Sequence, residues 1–105
     1  MIVSISSDAE ADIAEGYWFY ERQSSGLGDY FRSCVIADIE SLAYYGGIHE
    51  IEYGYRRALS KRFPFCIYYS LSNGVLLVVA VIDARRDPLW IRRRSAAARD
   101  PTTDS

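Results

Sequence analysis

The sequence predicts an α+β domain in which a short N-terminal strand precedes a two-helix hairpin packed on a small antiparallel sheet, with a short C-terminal helix closing the chain. Three observations predict it. Apolar residues recur at helical spacing through the first half, the pattern changes to alternation from Ile51 onward, and an Asn-Gly pair separates two strongly β-forming runs. With 105 residues, 50% of them hydrophobic, the chain has material for one core and too little for two. The domain is expected to span residues 1–98, leaving a polar tail, 99–105, that frays.

Residues 2–5 are β-rich, and Ser7-Asp8-Ala9-Glu10 has the spacing of a capping box, so a helix is expected to start near Asp8. Ala9, Ile13, Tyr17 and Tyr20 define its apolar face. Ala14 and Trp18 widen that face, while Glu10, Asp12, Glu15 and Glu21 lie largely away from it. After Ser24-Ser25-Gly26 breaks the pattern, Leu27, Phe31, Cys34, Val35, Ile39 and Leu42 resume it until Gly46-Gly47 stops it. Two helices joined this closely form a hairpin.

From Ile48 the chain reads as strand. Ile51, Tyr53 and Tyr55 alternate with polar neighbours, and Arg56-Arg57-Ala58-Leu59 continues them. Residues 65–71 and 75–82 then flank Ser72-Asn73-Gly74, whose Asn-Gly pair favours the positive φ angles of a tight hairpin. The second of these strands is apolar on both faces, which calls for helices on one side and another cover on the other. Residues 88–98 supply a candidate for that cover, because Asp87-Pro88 resembles a helix start and Leu89, Trp90 and Ile91 give a short apolar face.

The net charge of -2 conceals a segregation. Most acids precede Ser41, whereas most basic residues follow Tyr55, so the second half is basic. That asymmetry fits either an anionic or acidic partner or charge compensation within the fold. Cys34 and Cys66 lack CxxC spacing, and no His cluster suggests a metal; reduced thiols, no metal and no cofactor are expected. The longest apolar run is far shorter than the roughly 20 residues needed to cross a bilayer, and no charged n-region precedes an apolar stretch at the N-terminus. A cytoplasmic protein without membrane contact is expected.

Four segments carry a family resemblance: Ala11-Asp12-Ile13 with Tyr20, Gly26-Leu27-Gly28-Asp29-Tyr30-Phe31, Arg56-Arg57-Ala58-Leu59-Ser60-Lys61-Arg62-Phe63-Pro64-Phe65, and Arg85-Arg86-Asp87-Pro88-Leu89-Trp90. In these and in the order of its elements the chain resembles the ParE-like branch of the RelE/ParE superfamily, the toxins of bacterial type II toxin-antitoxin systems. The resemblance implies a toxin held in a hetero-oligomer with a cognate antitoxin, whose C-terminal segment lies along the helical hairpin and the neighbouring sheet edge. Tyr17, Trp18, Tyr20 and Tyr45 are the candidate antitoxin contacts, with a core filled by large side chains as the alternative reading.

RelE-like relatives are ribosome-dependent mRNA endoribonucleases, and that chemistry needs a proton acceptor, a proton donor and cations beside the phosphate. Arg57, Lys61, Arg62 and Arg85, together with Arg86, are the candidate cations and Tyr68 a candidate proton carrier, although Tyr68 and Tyr69 also suit cross-strand packing. Where the resembling ribonucleases place His or Tyr near the end of the last strand, this chain has Asp83, Asp87 and Trp90; its lone His49 reads as a solvated side chain. A sequence pI near 5.3 also gives little general attraction to RNA. ParE-like relatives act by binding DNA gyrase, which requires a surface and no intrinsic catalysis. The expected target-binding surface is Arg85, Arg86, Trp90 and Arg92. Alternatively, Arg85 and Arg86 pair with Asp83, Asp87 or acids of the first helix, and Trp90 caps the sheet. A third reading is a family member that binds antitoxin without being toxic.

Overall fold

The computed structural model describes residues 1–86; the expected C-terminal helix, the polar tail, Trp90 and Arg92 lie outside the described residues. The elements are β1 (Ile2–Ile5), α1 (Ser7–Glu21), α2 (Leu27–Tyr45), β2 (Ile51–Glu52), β3 (Tyr55–Leu59), β4 (Phe65–Ser72) and β5 (Val75–Asp83). The five strands form one sheet in the order β1-β5-β4-β3-β2. The helices pack on one of its faces.

The sheet is mixed. Its last four strands form the expected antiparallel meander, but β1 adds to β5 in parallel, with Ile2 opposite Val75 and Ile5 opposite Val78. The helical hairpin between them is the crossover that a parallel pairing requires.

Helix α1 is capped by Ser6 instead of Ser7: its Oγ accepts from Ala9 N at 3.0 Å. The buried face of α1 is Ala9, Asp12, Ile13, Gly16 and Tyr20. Ala14 and Trp18, expected on that face, are exposed, and Asp12, expected outside, is only 7% exposed. The reason is local geometry. Gly16 lets the Phe31 ring of α2 approach so closely that a Cβ there would lie 2.6 Å from it, which rolls α1 onto its Asp12–Gly16–Tyr20 side. Asp12 then meets the sheet edge just past the end of β1, where its Oδ2 accepts from Val81 N at 2.9 Å. The buried carboxylate thus serves a backbone donor that β1 does not reach.

Between the helices, Glu21 turns its carboxylate back onto the turn and accepts from Gly26 N at 3.0 Å and Gly28 N at 2.9 Å. The single strand expected over residues 51–59 is instead two. Tyr53 (φ 56°) and Gly54 (φ 87°) make a tight turn that folds β2 back on β3, repeating the backbone signature of Asn73 (φ 51°) and Gly74 (φ 79°) in the β4–β5 hairpin.

Along β4 and β5 the register steps past Val79 between the Tyr69–Val78 and Tyr68–Ala80 pairs. This bulge changes the phase of β5, so Leu76 and Val78 face the helices before it and Val81 does so after it. The principal core consists of Phe31, Val35, Ile39, Ile67, Tyr69, Leu76 and Val78, all fully buried. Cys66, Tyr68, Ala80 and Ile82 form a second buried cluster on the opposite face, flanked by Tyr53, Tyr55 and Val79.

Candidate functional site

Alternation along β3 sends Arg57 to the face opposite the helices, where it stands across the ladder from Tyr68. Glu52, brought back by the Tyr53-Gly54 turn, joins them. Tyr68 Oη donates to Glu52 Oε1 at 3.2 Å, and Arg57 Nε lies 3.4 Å from the same oxygen. Burial pushes the Tyr68 phenol up to about 12, reinforced by Cys66 and Glu52. Burial also raises the Cys66 thiol, with Arg57 acting in the other direction. For Arg57 itself burial opposes the charge, but Cys66, Glu52 and Tyr68 outweigh it and hold the guanidinium above its ordinary value. At neutral pH this cluster is therefore a protonated phenol, a protonated thiol and an ion pair. A phenol held near 12 exchanges protons poorly at neutral pH, because an effective acid or base has its pKa near the working pH.

The remaining candidate cations are dispersed. Lys61 turns toward α2: its backbone N donates to Asp38 Oδ2 at 3.1 Å and its Nζ lies 4.0 Å from Asp38 Oδ1, while Ser60 Oγ donates to the same carboxylate at 2.7 Å. Arg62 is exposed in the loop before β4. Arg85 forks onto Asp83, with Nε to Oδ1 at 2.9 Å and Nη2 to Oδ2 at 2.7 Å, and this hydrogen bonding holds the Asp83 carboxyl below its ordinary range. Arg86 lies 3.7 Å from Glu15 of α1. Of the five residues named for ribonuclease chemistry, the fold unites Arg57 and Tyr68 and points Lys61 to the helix side. Arg85 and Arg86 adopt the pairing with Asp83 and a helix-one acid that the sequence offered as their alternative. Beside them a cleft of about 190 Å³ is lined by Asp12, Glu15, Phe19, Arg22, Asp83 and Arg86, among others.

The four tyrosine and tryptophan candidates divide. Trp18 is 56% exposed and stands edge-on to Tyr17 at 4.9 Å, with the Arg32 guanidinium 4.7 Å above the Tyr17 ring. Tyr45 is 60% exposed. Tyr20 is not part of an exposed patch: it packs in the core against Phe31 and Phe63, at 5.1 and 4.9 Å between ring centroids. Sequence reasoning missed that the exposed Ile48 and Leu59 line one groove with Tyr45, and that Tyr44 and Ile51 are exposed as well. It also missed Glu52 and Asp38 as partners of the basic strand, and His49, which is not merely solvated: its Nδ1 lies 2.6 Å from the buried Tyr69 Oη, which also accepts from Gly47 N at 2.9 Å. Among the described residues no group of His, Cys, Asp and Glu is arranged to hold a metal ion, and no helix is long and apolar enough to cross a membrane.

These elements define a two-layer α+β protein with an apolar sheet edge, a buried phenol-thiol cluster and cations held by acids. A chain from the chromosomal ParDE TA system of P. aeruginosa has the same fold: it superposes with a TM-score of 0.65 over 79% of this chain and 95% of its own length, at 16% identity. The RelE/ParE-like architecture expected from the sequence is borne out at the level of fold. No family model matches the sequence, and no curated protein matches it.

Proposed function

We propose that this chain is the toxin of a type II toxin-antitoxin system, ParE-like in action: it binds DNA gyrase and is neutralised in the cytoplasm by a cognate antitoxin in a hetero-oligomer. The fold it shares with the ParDE chain supports the toxin reading. The observation that carries the choice of a binding mechanism over a catalytic one is the state of the candidate ribonuclease groups. Arg57, Lys61 and Arg85 are each held by a carboxylate on a different element, and Tyr68, the proposed proton carrier, keeps its proton to about 12. RNA cleavage by 2'-hydroxyl attack needs these functions converging on one phosphate. A gyrase binder needs only a surface, here Arg85 and Arg86 with Trp90 and Arg92. On the antitoxin side the surface is the half-buried Tyr17 with the exposed Trp18 and Tyr45, aromatics of the kind enriched in interfaces.

Induction without antitoxin separates the readings. Gyrase poisoning gives filamentation and an SOS response, with inhibition of supercoiling by stoichiometric purified protein. Rapid translation arrest with cleaved messages would establish the ribonuclease reading instead, and unimpeded growth the non-toxic one. Arg85→Glu with Arg86→Glu abolishes toxicity while leaving fold and antitoxin binding intact; toxicity retained in that variant would limit both arginines to their ion pairs with Asp83 and Glu15.

A further inference from the structure

The two ends of the sheet are finished differently. One end is β2, only two residues long, whose Glu52 is held to Arg57. Very short strands and charged side chains are among the devices that close a sheet edge to further pairing. The other end is β1, which has none of them: its Ile-Val-Ser-Ile carries no charge and no proline, and its register with β5 runs without a bulge.

Strand β1 uses half of its backbone. Ile2 N donates to Gly74 O at 3.0 Å and Ser6 N to Val78 O at 2.9 Å, so the even-numbered residues turn toward β5. Alternate residues of a strand present their N–H and C=O to opposite sides, which sends both groups of Val3 and of Ile5 outward. None of these four groups has a partner among the described residues. The Val3 and Ile5 side chains are half-buried against the helix-side core, whereas Ile2 and Ser4 stand exposed on the opposite face.

We infer that β1 pairs with β1 of a second copy of this chain, antiparallel about a two-fold axis that passes through Ser4. The register follows from the outward groups. Val3 against Ile5 of the second copy, and Ile5 against its Val3, makes two hydrogen-bonded pairs and uses every outward group of both strands. On the helix side these pairs bring β-branched side chains together. On the other face Ser4 meets its own copy. A residue on the axis faces an identical one, so a charged side chain there would repel itself; Ser4 is small and neutral, and its hydroxyl can bond across the ladder. From Ser4 the strand reads β-branched apolar in both directions, which is the symmetry that self-pairing needs and that an unrelated partner would not. Each contact then occurs twice, and the product is one sheet continuous through both copies. Because β1 and β2 lie at opposite ends of the strand order, this association is independent of the toxin reading and of what binds elsewhere.

Sedimentation equilibrium of the full chain alone tests the inference and should show a dimer that dissociates on dilution. Ser4→Lys and Ser4→Asp, at an exposed position, each weaken self-association about tenfold, and an equimolar mixture of the two restores it, because the opposite charges meet at the axis. Ser4→Cys cross-links two copies on mild oxidation, since Cα atoms of a pair without hydrogen bonds lie about 4.5 Å apart, within disulfide reach. Ile2→Cys, and the unaltered chain with its Cys34 and Cys66, do not cross-link. Without any substitution, exchange of the Val3 and Ile5 amides slows as the protein concentration rises. A chain that stays monomeric at about 0.1 mM would overturn the inference. So would a dimer that is indifferent to the charge at position 4 and leaves the Val3 and Ile5 amides unprotected.

Discussion

The two faces of the sheet are built from the same strands and hold their polar groups differently. Toward the helices the side chains are large and fully buried, and the polar groups among them are tied to fixed partners: Asp12 to Val81 N, Tyr69 Oη to Gly47 N and His49. On the far side, buried Tyr68 and Cys66 adjoin Arg57 and Glu52, whose side chains reach solvent. The first face is fixed by packing, so changes there are felt as stability. The second is fixed by charge and burial together, so changes there are felt chiefly as pH dependence.

Phe31→Ala makes the largest test of this contrast. Its ring meets Tyr20, Phe63 and Phe65, and its loss should cost about 3–5 kcal/mol in urea unfolding. A cost below about 1 kcal/mol would mean that the helix-covered face does not depend on this packing. Gly16→Ala follows at about 1–3 kcal/mol, because the new Cβ is driven into the Phe31 ring although alanine is the better helix former. The two substitutions share a contact, so their double mutant should be non-additive.

Asp12→Leu should cost about 1–3 kcal/mol by orphaning Val81 N–H, with faster exchange of that amide as the specific sign. Asp12→Asn keeps an acceptor and should cost less. On the opposite face, Glu52→Gln should change stability by less than about 1 kcal/mol, yet lower the Tyr68 titration from about 12, read as an ultraviolet difference against Tyr68→Phe. The folded-state value of Tyr68 lies above its unfolded value of 10.0. Full stability is therefore present below 10.0 and lost as pH rises through about 12, and Tyr68→Phe should flatten that loss.

The smallest effect belongs to Asp83, whose carboxyl is held down by Arg85. Its stabilisation is present above the unfolded value of 3.8 and lost as pH falls through the lower folded value, so Asp83→Asn should flatten the acid limb of the unfolding curve by slightly lowering the neutral plateau toward the acid baseline, which it leaves unchanged.

Much of this fold was legible in the sequence wherever a local rule decides. Asn73-Gly74 and Gly46-Gly47 mark turn and stop through backbone preference alone, and the spacing of Phe31, Val35, Ile39 and Leu42 fixes the buried face of α2. What escaped was decided between elements. The parallel attachment of β1 depends on which edge of β5 is free, and the roll of α1 depends on a glycine facing a distant phenylalanine. The Tyr53-Gly54 turn escaped because Tyr at positive φ is an uncommon signal. For the same reason the basic strand was legible as a charge pattern, while its partners Glu52 and Asp38, on two other elements, were not.

The parallel pairing of β1 also fixes an order of events during synthesis. Strand β1 finds its neighbour only after Val75 to Val78 have been made, so it waits through the production of both helices and most of the meander. Until then the apolar residues of β5 are missing from the core and the helices have no completed sheet to cover. A nascent chain of this protein cannot assemble its native sheet early; any activity that depends on that sheet begins only after β5 has been made.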